Sequence, residues 1–273
     1  MNDVLFAFML TLIAGLATGA GGLVVLFTNV TNKKFLSICL SFSAGVMLYI
    51  AFAEIFKESF ETLEYAFGDA KGLLIVTLSF FAGILLMAVV DKYIPHDDEI
   101  DELLEANKQH DKSLDSEKNS LKRVGISSTI AVAIHNLPEG LITFLAALHD
   151  PAMGIGIALA IIVHNIPEGV AIAAPIYHAT GSKAKAFWVS VGAGLTEPLG
   201  ALLAWLLFRN IFEEMEGAFG ISFAAISGIM VFVAIHQLLP AAHRYGKHHL
   251  VMKWLFAGMA VMALSIVALE FLL

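Results

Sequence analysis

The chain has 273 residues, 58% of them hydrophobic and 15% charged, with a mean hydropathy of +0.80. That is too apolar for a soluble domain, in which about a quarter of the residues carry charge, and the long continuous runs exclude a β-barrel, whose short strands alternate. One cysteine, Cys39, excludes a disulfide framework and a thiolate metal cage, and the net charge of −8 says little about partners because much of it falls in one acidic stretch.

The predicted spans, in chain order, are Val4–Phe27, Phe35–Phe56, Gly72–Ile94, Val124–Leu148, Ala152–Ile176, Ala184–Phe208, Gly217–Ala242 and Leu250–Leu273. Each comes close to the ~20 apolar residues that a helix needs to cross a bilayer. The first lacks a basic leader and a small-residue cleavage site, so it reads as a retained span. Most connections are short, which makes neighbouring helices antiparallel and residues 1–273 a single transmembrane domain. The exception is Pro95–Leu121, rich in Asp, Glu, Lys and Ser without apolar periodicity, which reads as a solvated loop.

Charge gives the orientation. Lys33, Lys34, the cations around the acidic loop, Lys183, Lys185, Arg244, Lys247 and Lys253 fall in one set of loops. Only Lys57, Lys71 and Arg209 fall in the other. The positive-inside rule puts the first set in the cytoplasm and both termini outside. The glycosylation pattern Asn29-Val-Thr31 then lies on the cytoplasmic side and is discarded. A weak internal likeness joins Ala51-Phe-Ala-Glu54-Ile-Phe of span two to Ala234-Ile-His-Gln237-Leu-Leu of span seven. These spans run in opposite directions, as in the inverted repeats of many transporters.

The chemistry lies in spans four and five. They carry His135-Asn136-Leu137-Pro138-Glu139-Gly140 and His164-Asn165-Ile166-Pro167-Glu168-Gly169, the same costly set buried twice. Helical spacing puts each glutamate on one face with the His four residues before it and the Asn three before it. Each glutamate can therefore serve two adjoining ion positions, one richer in histidine and one richer in amide and carboxylate. Pro138 and Pro167 cannot donate to the carbonyls of Ile134 and Val163, which opens the helix beside the ligands. Glu197, before Pro198 in span six, is the candidate third carboxylate. Each buried glutamate costs ~2.5–3.5 kcal/mol at the bilayer centre unless a cation, a proton or a facing histidine offsets it. Imidazole, carboxylate and amide together suit Zn²⁺, Fe²⁺, Mn²⁺ or Co²⁺ rather than Cu⁺. Met47, Glu54, His236 and Gln237 are candidate lining residues of the route. His243, His248 and His249, like His96 and His110, read more simply as solvated loop residues.

The doubled His-Asn-x-Pro-Glu-Gly, followed by Glu197-Pro198, resembles the ZIP family of divalent metal transporters, and the likeness covers the whole chain. It implies an all-α integral membrane protein of eight helices in a 3+2+3 arrangement with an inverted repeat. The metal site then sits at midplane between helices four, five and six. It implies import into a bacterial cytoplasm of Zn²⁺, and often Fe²⁺, Mn²⁺ or Co²⁺. His135, Asn136, Glu139, His164, Asn165, Glu168 and Glu197 would form a two-metal transport site. Metal ions and the lipid bilayer are the implied partners, without nucleic acid, prosthetic group or catalytic residue; a homodimer is left open. Some relatives have an acidic residue where Asn165 stands, and the amide here should loosen the second metal.

Two other functions compete. An intramembrane metalloenzyme would carry His-Glu-x-x-His or Glu-x-x-His, an order that this chain reverses. A membrane metal sensor would carry a soluble output domain. No nucleotide-binding motif is present, so direct ATP coupling is not expected.

Overall fold

The computed structural model describes residues 3–27, 33–93, 114–210 and 216–271, and the described residues form helices joined by short turns, with no strand. Eight helices are long and apolar enough to cross a membrane. They are α1 (Asp3–Phe27), α2 (Lys33–Phe67), α3 (Asp69–Asp91), α4 (Leu114–His149), α5 (Pro151–Thr180), α6 (Lys183–Phe208), α7 (Gly217–Tyr245) and α8 (His248–Glu270). Gly68 (φ +81°) parts α2 from α3 and Gly181 (φ +64°) closes α5, both in a region that side chains rarely adopt. Asp150 caps α5 by accepting from the Ala152 N–H at 2.7 Å, with Pro151 in the first turn. On α3 the outer face is bare hydrocarbon: Leu78, Phe81 and Leu85 are each at least 60% exposed. That surface is stable only against lipid.

The eight spans match the sequence expectation, with three differences. First, α2 does not stop at Phe56 but runs on to Phe67. Its charged last part turns Ser59 and Leu63 inward, and the Ser59 hydroxyl donates to the Gly220 carbonyl at 2.7 Å. Packing thus continues a helix whose hydropathy has ended. Second, the stretch expected as a loop to Leu121 is already helical from Leu114, while residues 94–113, with His96 and His110, lie outside the described residues. Leu, Glu, Lys and Arg fill six of the ten positions of Leu114–Arg123, and these are good helix formers. Third, α4 and α5 continue through Pro138 and Pro167 without a break. The break falls instead in α6, at Leu195 between Lys183–Gly194 and Thr196–Phe208. There Pro198 withholds a donor from the Gly194 carbonyl.

The weak likeness between spans two and seven has a structural counterpart. Ala51–Phe56 in α2 and Val233–Leu238 in α7 are both six-residue π-helical segments. Such turns are rare and tend to mark functional sites. The glycines repeat the pattern. A methyl on Gly15 of α1 would strike the carbonyl of Gly194 in α6, and one on Gly194 would strike that of Gly15. Gly21 of α1 and Gly169 of α5 meet the carbonyls of Ile166 and Thr18. In the same way Gly200 of α6 and Gly140 of α4 meet those of Leu137 and Glu197. Gly45 and Gly258 lock α2 to α8, while Gly228 and Gly83 lock α7 to α3. Exchanging α1 with α6, α2 with α7, α3 with α8 and α4 with α5 maps this set of contacts onto itself. Small residues that let backbones touch are the usual glue of helices in lipid.

Candidate metal centre

The close seams at Gly140 and Gly169 hold α4 and α5 beside α6 and α1, and they set the two motifs facing each other. All seven sequence-predicted site residues are buried, His135 being 2% exposed and the other six 0%. Each histidine reaches the glutamate of the other helix. His135 Nε2 lies 3.2 Å from Glu168 Oε2, and His164 Nε2 lies 3.2 Å from Glu139 Oε1. The asparagines also act in parallel. Asn165 Nδ2 donates to the Ala14 carbonyl at 3.0 Å, and Asn136 Nδ2 donates to the Ala193 carbonyl at 3.4 Å. Glu197 joins through Oε1, which accepts a second hydrogen bond from Asn165 Nδ2. Two residues back, the break at Leu195 frees this turn of α6 to face α4 and α1.

The donor set fits a borderline divalent cation. Five atoms here are buried without a hydrogen-bond partner among the described residues: His135 Nδ1, Asn136 Oδ1, Glu139 Oε2, Asn165 Oδ1 and Glu197 Oε2. Buried polar atoms are normally paired, and each exception calls for a reason. The four oxygens are lone-pair donors of the types that bind zinc and its neighbours, and His135 Nδ1 is one in the tautomer that carries its proton on Nε2. Two ligands on a tetrahedral zinc, bonded at 2.0–2.1 Å, stand about 3.3 Å apart, close to the 3.2 Å of each His–Glu contact. As the side chains stand, no three His, Cys, Asp or Glu groups among the described residues converge on one point. Each imidazole closes on a carboxylate instead, so an ion entering here would have to part a pair. His164 Nδ1 donates to the Ala160 carbonyl at 3.0 Å, since a carbonyl only accepts, and Nε2 is the nitrogen that would be open to an ion.

The two halves are not equal. The Ser43 hydroxyl of α2 donates to Glu168 Oε1 at 3.0 Å, so both oxygens of Glu168 are engaged, whereas Glu139 keeps one free. Exchanging α2 with α7 carries Gly45 to Gly228 and hence Ser43 to Ile226, which has nothing to donate. Sequence reading missed Ser43 because a lone serine in a span is ordinary. It also missed the carbonyls of Ala14 and Ala193, for which side-chain identity gives no signal.

The other candidates have different partners. Met47 is fully buried in the apolar core, one turn from Ser43. Glu54 lines a cavity of about 400 Å³ together with Asp150, Met153 and Met262. His236 and Gln237 meet Asp91 at the end of α3, at 3.0 and 2.7 Å. Asp91 was not singled out from sequence, because a charged residue closing a span is commonplace. His243, in the last turn of α7, places Nε2 3.2 Å from Nδ1 of His248, the first residue of α8; both are exposed, but at helix ends rather than in a loop.

A family model described as the ZIP zinc transporter matches residues 95–266. A zinc transporter ZupT of Clostridium perfringens is 46% identical over 277 residues, covering 97% of this chain and 96% of its own. The ZupT of Chlorobium chlorochromatii is 48% identical, with 97% and 98% covered, and that of Lysinibacillus sphaericus 47%, with 98% and 99%.

Proposed function

The chain belongs to the ZIP family of zinc transporters, and from that premise we propose that it imports Zn²⁺, and with it Fe²⁺, Mn²⁺ or Co²⁺, across a bacterial cytoplasmic membrane. The family is one of transporters, not enzymes, which removes the metalloenzyme alternative. The observation that carries the proposal is the crossed pairing of His135 with Glu168 and His164 with Glu139, ringed by buried donors without partners.

His135, His164, Glu139 and Glu168 hold one ion; Asn136, Asn165, Glu197 and the same glutamates hold a second. Loss of hydration at this depth is offset by the carboxylates. The helices are arranged 3+2+3, with α1–α3 and α6–α8 as inverted halves around α4 and α5; the mapping of the glycine seams supports this. Rocking of the halves about the fixed centre gives alternating access. Both termini face outward by the distribution of Lys and Arg. With Nδ1–H of His164 given to Ala160, a contact between Nε2 and Glu139 holds one proton between two lone-pair atoms. Zinc that parts this pair displaces that proton.

Reconstitution in liposomes loaded with a zinc-sensitive dye tests the reading. Zinc should enter in the wild type and fail to enter when Glu139→Ala and Glu168→Ala are combined. Metal binding without flux in the wild type would sink the import reading, and flux surviving the double change would sink the site assignment.

A further inference from the structure

Thr18 of α1 has a fully buried hydroxyl that finds no hydrogen-bond partner among the described residues. This is unusual here. Thr11, Thr77, Thr143 and Thr180 all donate to the carbonyl four residues back, at 2.7–2.8 Å. For Thr18 that carbonyl belongs to Ala14, and its second lone pair is taken by Asn165 Nδ2. The centre has consumed the local acceptor and left the hydroxyl over.

The exchange of halves says where the hydroxyl belongs. It carries Gly15 to Gly194 and Gly21 to Gly200, each pair six residues apart, and therefore carries Thr18 to Glu197. Two pairs of contacts follow the same rule. The Ala14 carbonyl with Asn165 corresponds to the Ala193 carbonyl with Asn136. A methyl built on Gly15 would lie 3.4 Å from the Glu197 Cβ, and one built on Gly194 would lie 3.0 Å from the Thr18 Cβ. Glu197 attends Asn165; the corresponding place beside Asn136, whose Oδ1 is also unpartnered, falls to Thr18. We propose that Thr18 Oγ1 is a ligand of the transported cation on the Asn136 side, the neutral counterpart of Glu197. The amide-rich position then has one carboxylate flank and one hydroxyl flank.

The inference rests on the import reading above. Its test is Thr18→Val, equal in shape but without the hydroxyl, with Thr18→Ser as the variant that restores it. Zinc uptake by proteoliposomes and the zinc-induced shift in thermal unfolding are both measured. We expect the apparent KM for zinc to rise about tenfold, as for other lost metal-site partners, with Vmax changed less. The zinc-induced shift should shrink, and Thr18→Ser should restore both. A merely structural hydroxyl predicts the reverse, since removing a group that has a partner lowers metal-free stability. An unchanged KM and zinc shift in Thr18→Val overturns the proposal, as does a lowered metal-free Tm or a failure of that variant to fold. Absence of uptake by the wild type would instead overturn the import reading, while the zinc shift would still decide Thr18.

Discussion

Replacing Asn165 by aspartate is the sharpest single perturbation of the centre. Asn165 Nδ2 now bridges the Ala14 carbonyl and Glu197 Oε1, both acceptors. Aspartate removes the donor and puts a carboxylate where an amide stood. Two full charges about 3 Å apart repel by ~5 kcal/mol at an effective dielectric constant of 20. A shared proton relieves most of that. What remains is the donor lost to the buried Ala14 carbonyl, worth about 1–3 kcal/mol. For a chain of this length, ~2 kcal/mol lowers Tm by roughly 5 °C. Zinc should reverse the order, because the cation neutralises the added charge. The assay is thermal unfolding in detergent at pH 8, with and without zinc. We expect Asn165→Asp to melt lower than wild type without metal and to gain more from zinc. Asn136→Asp is the internal control: its amide donates to the Ala193 carbonyl, at 3.4 Å, and to no carboxylate among the described residues. Its metal-free loss should be smaller. Equal losses for the two variants, or no loss for either, would refute the assignment of Glu197 to one flank only.

Two further outcomes follow from the geometry. Gly140→Ala and Gly169→Ala, each driven against a backbone carbonyl, should cost about 1–3 kcal/mol and lower Tm. Gly192→Ala, with no atom within 4 Å of the added methyl, should be neutral or stabilising by up to ~1 kcal/mol in the same melts. If zinc displaces the proton held between His164 and Glu139, apparent zinc affinity should rise with pH by about tenfold per unit while one proton is released. Zinc titrations at several pH values check this, and a flat profile would remove the proton from that pair.

Much of this was legible in the sequence because lipid makes polar residues expensive. A His, an Asn and a Glu repeated inside two apolar runs had to meet something, and all seven motif residues lie buried at one centre. The spans were readable from hydropathy for the same reason. What stayed hidden was whatever hydropathy cannot see. Lys57, Glu58, Glu61 and Glu64 mask the inward Ser59 and Leu63, so α2 runs eleven residues beyond its apolar part. Thr18 and Ser43 look like the many span hydroxyls that simply bond back to their own helix. Pro138, Pro167 and Pro198 are indistinguishable in sequence, yet only the last stands at a break, where α6 also carries a glycine seam against α1.

The crossed pairing of imidazole and carboxylate has a consequence for how such a chain can change over generations. Neither motif is a unit of inheritance by itself. A substitution at His135 strands Glu168, and one at His164 strands Glu139, so an injury to one helix is felt at the other. Drift at the centre must therefore proceed diagonally, position 135 with 168 and 164 with 139, rather than one motif at a time.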